Sequence, residues 1–260
     1  GALRLAFSPS LQALKTSVPA LLYLFQNNLQ YIAVGYLDAA TYAVLYQFKI
    51  LTAALMSVLI LRKSLSVAQW MALTILTVGA SMVIVSQMSM SSRKAEQNHV
   101  IAGVAAVLMA CLASGLAGVY FEKLLKGSNM SLWARNLQLA AYSLVVGFGG
   151  LYQSDGVQRL GWGFFAGYTP CVWAAVINNA LGGLLIAVVI KFTDTIMKNF
   201  STTLSIVLTA GLSVCLFGQS INAMSYIGTA LVIYAVFLYG GISHKFPFAW
   251  FAEAIWLQVT

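Results

Sequence analysis

Lys49-Ile-Leu-Thr-Ala-Ala-Leu-Met-Ser-Val-Leu59 aligns without gaps on Lys198-Asn-Phe-Ser-Thr-Thr-Leu-Ser-Ile-Val-Leu208. The lysine, one leucine and the Val-Leu pair are identical, and Thr52/Ser201 and Ala54/Thr203 match closely in size. Both stretches lie inside long apolar runs. A lysine at the centre of a bilayer costs about 2.5 to 3.5 kcal/mol on insertion scales, so a membrane helix rarely carries one without a polar cavity or partner. Two lysines in corresponding places point to a membrane transporter built from two related halves, with a binding site between them.

The surrounding composition agrees. Of the 260 residues, 60% are hydrophobic and only 8% are charged, with a mean hydropathy of +0.86. Soluble domains carry roughly 25% charged residues. A deficit this deep along the whole chain means an all-α, polytopic membrane protein. It leaves no polar stretch long enough for a soluble domain on a single anchor. The net charge of +8 would raise nucleic acid as a partner in a soluble protein. Here most Lys and Arg fall in short loops, where they orient helices, and no nucleic-acid partner is expected. Cys111, Cys171 and Cys215 lie in apolar segments without metal-ligand spacing, so neither a metal site nor a disulfide framework is expected.

About 20 apolar residues cross a bilayer. That ruler gives about eight spans, near 16–36, 39–61, 66–87, 100–122, 131–152, 168–191, 195–217 and 222–241. Arg4, Lys15, Arg62, Lys63, Lys123, Lys126, Arg135, Lys191 and Lys245 then fall on one side of the membrane, and Arg93, Lys94 and Arg159 on the other. The richer side, which holds both termini, is expected to be cytosolic. The segment 241–260 is too interrupted to span and reads as a tail, its aromatics suited to an interface. Small residues at Gly79, Ser114, Gly115 and Gly118 are placed for close helix packing. Adjacent Gly182 and Gly183 weaken their helix and can leave backbone open to a ligand.

The polar residues inside the spans carry the functional reading. The first span holds Gln26-Asn27-Asn28 and Gln30; the second holds Tyr42, Tyr46 and Lys49, spaced by four and three and so on one helical face. Two phenol rings beside an ammonium suit an aromatic base joined to an anion. All six acids (Asp38, Glu96, Glu122, Asp155, Asp194 and Glu253) fall at span ends, in loops or in the tail. Two membrane lysines without carboxylate partners imply an anionic ligand, whereas a proton or sodium site would need buried acids or histidines. Lys198 lies within a turn of its helix start, where it could also snorkel to the interface. Ser114, Arg135, Asn136, Gln138, Asn178 and Asn179 are further polar positions, Arg135 reading as an end anchor. No nucleophile elbow, zinc-protease helix, phosphate loop or carboxylate pair is present, so no catalytic residue, no cofactor and no enzyme activity is expected.

Several motifs resemble one family. They are Val18-Pro-Ala-Leu21 through Gln26-Asn-Asn28, Ala39-Ala-Thr-Tyr42 through Tyr46-Gln-Phe-Lys49, and Gly115-Leu-Ala-Gly-Val-Tyr-Phe-Glu-Lys123. Leu132-Trp-Ala-Arg-Asn-Leu-Gln138, Gly163-Phe-Phe-Ala-Gly-Tyr168 and Asp194-Thr-Ile-Met-Lys198 complete the set. From about residue 10 to 240 the chain resembles the nucleotide-sugar transporters of the drug/metabolite transporter superfamily. The subgroup carries UDP-galactose, UDP-N-acetylglucosamine and CMP-sialic acid into the Golgi. The resemblance implies a ten-helix fold of two inverted halves that exchanges a cytosolic nucleotide sugar for a lumenal nucleoside monophosphate. It assigns Lys49 and Lys198 to the phosphates, and Asn27, Tyr42, Ser114 and Asn136 to the nucleotide. Gly182 and Gly183 would lie near the sugar, and Tyr46 joins the set through its place between Tyr42 and Lys49.

Two departures temper these expectations. The family's first two helices have no counterpart, so the chain corresponds to helices three to ten: an incomplete first half over 1–98 and a second half over 99–240. A truncated, non-transporting scaffold or partner subunit is therefore the alternative reading. Second, Ala140 stands where CMP-sialic acid carriers often have tyrosine; with Gly167-Tyr-Thr-Pro170 this leans towards a UDP-sugar, CMP-sialic acid being the runner-up. A multi-pass Golgi membrane protein is the expectation, with a homodimer or a glycosyltransferase association left open.

Overall fold

The computed structural model describes residues 14–87, 100–127, 130–153, 165, 168–217 and 222–242. The helices are α1 (Ser17–Tyr36), α2 (Ala39–Tyr46), α3 (Lys49–Leu61), α4 (Val67–Gln87), α5 (Val100–Lys126), α6 (Leu132–Gln153), α7 (Pro170–Phe192), α8 (Thr195–Phe217) and α9 (Ala223–Ile242). Among the described residues there is no strand. The protein is an all-α, multi-pass membrane protein. The loop 88–99, the tail beyond Ile242 and most of the 163–168 motif lie outside the described residues.

Local chemistry sets where the helices begin. Asp38 caps α2 by accepting the Thr41 N–H at 2.9 Å. That bonding holds the Asp38 carboxyl below the usual carboxylate range. Ser66 and Gln69 form a reciprocal capping box before α4: Gln69 N–H donates to Ser66 Oγ at 3.2 Å, and Ser66 N–H to Gln69 Oε1 at 2.9 Å. Thr169 caps α7 ahead of Pro170, and Asp194 Oδ1 accepts the Met197 N–H at 2.7 Å at the start of α8. Arg62 ends α3 in the left-handed region at φ 54.

Five of the apolar segments are long and hydrophobic enough to cross a membrane: Ala39–Leu61, Val67–Ser86, Val100–Lys126, Pro170–Phe192 and Ala223–Gly240. The other long helices, α1, α6 and α8, are diluted by polar residues, including Gln26 to Gln30, Arg135 to Gln138, and Lys198 with Asn199. Those are the helices that bring amides and one of the two lysines into the bundle.

Ala39–Leu61 is one span but not one uniform helix. Gln47 N–H bonds to the Val44 carbonyl and Phe48 N–H to that of Leu45, so the chain tightens into a 3₁₀ turn between α2 and α3. Ile50 N–H then reaches the Gln47 carbonyl, which takes it away from Tyr46. The Cys111 thiol lies 3.6 Å from the carbonyls of both Leu45 and Tyr46 and covers the gap as a weak donor. Cys111 therefore has a role specific to this turn, beyond the small packing residue its apolar setting predicts.

Two of the packing regions position the residues of the candidate site. In the first, Ile50 and Ala54 of α3, Leu73 and Leu76 of α4, Ile196 and Phe200 of α8, and Val232 and Ala235 of α9 form one buried cluster. Within it α4 and α9 make the most extensive contact in the bundle. A Cβ added at Gly79 would meet the Gly228 carbonyl oxygen at 2.9 Å, Leu231 Cβ at 3.0 Å and Val232 N at 3.0 Å. A Cβ added at Gly228 would meet the Gly79 carbonyl oxygen at 2.9 Å, Met82 Cβ at 2.9 Å and Val83 Cγ2 at 3.0 Å. Each glycine thus faces the other and the residues three and four places beyond it, which is the signature of a local two-fold axis. The spacing from Gly79 to Gly228 equals that from Lys49 to Lys198.

In the second region α5 packs against α1, α2 and α3. Gly115 presses on the backbone of Thr52 and Ala53, and Thr52 Oγ1 donates to the Cys111 carbonyl at 2.8 Å. Arg135 is no end anchor. It is buried at 1% exposure, and its guanidinium donates to Thr16 Oγ1 at 2.8 Å, tying α6 to the residue before α1.

Candidate functional site

The residues on one face of Ala39–Leu61 come together as their spacing predicts, and the 3₁₀ turn tightens the arrangement. Tyr42 and Tyr46 stack with ring centroids 5.6 Å apart and planes 11° from parallel. Side chains three apart eclipse across a 3₁₀ turn, and Lys49 Nζ lies 4.3 Å over the Tyr46 ring. The turn therefore sets an ammonium on the face of a phenol that is itself stacked on another.

Helix α1 fixes the phenols from the opposite side. Gln26 and Gln30 each donate Nε2–H to Tyr46 Oη at 2.9 Å, and Tyr42 Oη donates to Gln30 Oε1 at 3.2 Å. These two amides were visible as polar residues in a span, but their link to the tyrosines was not. Their spacing by four, which puts both on one face of α1, was the available signal. Ser114 of α5 stands within hydrogen-bonding reach of the Tyr46 hydroxyl. Gln26 Oε1 and Asn136 Nδ2 are buried without a partner among the described residues.

Lys198 is half-buried on α8 and close enough to Lys49 for each ammonium to feel the other's charge. Among the described residues neither lysine is paired with a carboxylate; the ion pairs there use Lys63 and Lys126. Two ammoniums without a carboxylate partner among the described residues leave positive charge that an anion would neutralise.

The remaining candidates are arranged more loosely. Asn27 is exposed on α1, Asn136 is half-buried on α6, and Gly182 and Gly183 lie on an open face of α7 with nothing within 4 Å of an added Cβ. The structure thus groups Tyr42, Tyr46, Lys49, Ser114 and Lys198, and leaves the glycine pair and Asn27 apart from contacts with them. Among the described residues no cluster of His, Cys, Asp and Glu could hold a metal ion.

One expected result follows directly. Tyr46→Phe removes the oxygen that receives both glutamine donors and leaves two amides short of partners. An unsatisfied buried polar group costs about 1–3 kcal/mol. The variant should melt earlier in detergent than Tyr42→Phe, which removes a single, longer bond.

Residues 4–240 match the family model described as "Nucleotide-sugar transporter". The chain belongs to the nucleotide-sugar transporter family. It is 50% identical over 226 residues to the UDP-galactose translocator of Mus musculus, which covers 87% of this chain and 58% of that protein. The UDP-galactose translocator of Homo sapiens is also 50% identical over 226 residues, with 87% and 57% covered. The UDP-N-acetylglucosamine transporter of Homo sapiens is 45% identical over 232 residues, with 88% and 71% covered. The chain therefore spans somewhat over half the length of the translocators it matches. The family consists of transporters, which agrees with the expectation that the protein is not an enzyme.

Proposed function

We propose that the protein is a nucleotide-sugar antiporter of the Golgi membrane, with both termini cytosolic. It carries a UDP-sugar, UDP-galactose or UDP-N-acetylglucosamine, to the lumen and returns a nucleoside monophosphate. The observation that carries this reading is the Lys49 ammonium over the stacked Tyr42 and Tyr46, with Lys198 on the packed helix α8 and neither lysine paired with a carboxylate among the described residues. The phosphates neutralise the lysines and the base lies against the phenols, with Ser114, Asn27 and Asn136 as polar contacts and Gly182 and Gly183 towards the sugar. The empty carrier holds two unshielded ammoniums and crosses reluctantly, which favours obligatory exchange. The matched spacing of the lysines and of the glycines supports two related halves, 1–98 and 99–240. The names of the relatives support the choice of UDP-sugars.

Thermal unfolding of the purified chain with UMP, CMP or GMP tests this. A ligand present at a hundred times its Kd stabilises by about 2.7 kcal/mol. UMP should raise the Tm and GMP should not, and the rise should vanish in Lys49→Ala. A rise with CMP alone would replace the UDP-sugar by a CMP-sugar. The absence of any shift would leave the scaffold reading in its place.

A further inference from the structure

A second charged cluster lies one helical turn from Lys198, outside the set of binding residues. Glu122 of α5 has no exposure, yet its carboxylate is fully engaged. It accepts from Lys63 Nζ at 2.9 Å, Lys126 Nζ at 2.8 Å, and both the N–H and the hydroxyl of Thr195 at 2.8 Å. Lys63 also reaches Asp194 at 3.1 Å, and Lys126 bonds to the Thr193 carbonyl. The segment after α3, the end of α5 and the start of α8 are thereby stitched together.

Three features set this cluster apart from ordinary packing. Ser114, Gly118 and Glu122 follow one another at intervals of four along a single stripe of α5. Ser114 stands at the Tyr46 hydroxyl, Gly118 accepts the Thr195 hydroxyl at 3.2 Å, and Glu122 meets Lys63. The stripe thus runs from the binding residues to the end of the bundle. Asp194 and Thr195 begin the helix that carries Lys198, so whatever holds them holds that ammonium. Lys63 follows directly on Arg62, whose left-handed backbone is sterically costly for a residue with a side chain. Ion pairs also suit a contact that must break: replacing buried pairs by apolar residues often preserves stability, but separated charges rehydrate while a separated apolar seal does not.

We infer that Glu122 and Lys63 are positioning residues that close this end of the transport path and hold the start of α8, and with it Lys198, in place. The inference rests on the antiporter reading, because a closure has meaning only where the path must open alternately at two ends.

The test uses no nucleotide, so it is read separately from the stabilisation by UMP. In membrane vesicles of one orientation, the full chain carries Ser114→Cys, with Cys171 and Cys215 replaced by serine; Cys111, buried at the α2–α3 turn, is kept, and the labelling of the same chain with Ser114 is subtracted. A membrane-impermeant maleimide is added from the side of Lys63. Lys63→Gln should raise the labelling rate about tenfold, roughly what one charged hydrogen bond is worth, and Lys63→Arg should label like the parent. Glu122→Gln keeps the side chain's size and an acceptor for Thr195, and should also label faster; it is the variant read if Lys63→Gln fails to accumulate. Unchanged labelling in Lys63→Gln and Glu122→Gln would show the cluster to be static stitching and overturn the inference. An unsubstituted chain that UMP fails to stabilise would instead overturn the antiporter reading.

Discussion

Lys49→Ala should lower the exchange of UMP for UDP-sugar about a hundredfold and abolish stabilisation by nucleotide. Its ammonium lies 4.3 Å over Tyr46, with no acid paired with it among the described residues. A phosphate bound there loses one of its two counter-charges in the substitution. Truncating one member of a buried, hydrogen-bonded charge pair costs about 2–5 kcal/mol, and about 2.7 kcal/mol is a hundredfold. Lys198→Ala should have a comparable effect. The double substitution should fall short of the product of the two, because both groups hold one ligand. Lys49→Arg should recover part of the rate, since it restores the charge while changing its reach and shape. Counterflow in proteoliposomes measures all four; near wild-type exchange by Lys49→Ala would remove the lysine pair from the mechanism.

Gly79→Ala and Gly228→Ala should each destabilise the fold by about 1–3 kcal/mol, the usual range for overpacking. The new methyl group meets the facing carbonyl oxygen at 2.9 Å in both variants. Backbone atoms cannot rotate away, so α4 and α9 must separate and loosen Leu73, Leu76, Val232 and Ala235. The two-fold character of the contact predicts nearly equal losses. Gly147→Ala and Gly211→Ala are the controls: an added Cβ there has nothing within 4 Å, and helix propensity alone favours alanine. Melting temperatures in detergent decide the matter. Parent-like melting of Gly79→Ala would mean that the two helices are not pressed together as described.

The spans were legible because hydropathy and length impose them. The expected 195–217 is α8 to the residue, and 16–36 and 131–152 differ from α1 and α6 by a single position at the ends. The face shared by Tyr42, Tyr46 and Lys49 was legible because helical periodicity dictates it. The 3₁₀ turn at Gln47–Phe48 was not, since neither residue is glycine or proline. The group that meets the turn's carbonyls is the Cys111 thiol, supplied by a helix 60-odd positions away. Hydropathy ends the span at Glu122, whereas α5 continues to Lys126 and buries it. Its partner Lys63 reads in the sequence only as a loop cation that orients the helices, because nothing local pairs the two. Gly79 was named as a packing residue, but its match to Gly228 carries no charge to mark it.

The joint at Gln47–Phe48 divides the site into two short levers. The stacked phenols ride on α2, the ammonium rides on α3, and the chain between them is wound differently from either. On the proposed reading, a base alone would grip one lever and an inorganic anion the other. Only a molecule that holds a base and a phosphate at fixed separation would then splint the joint and let the levers swing as a single arm. Cargo would then be recognised less by its individual contacts than by its ability to act as a brace, with the sugar carried along on a movement that the nucleotide has already made rigid.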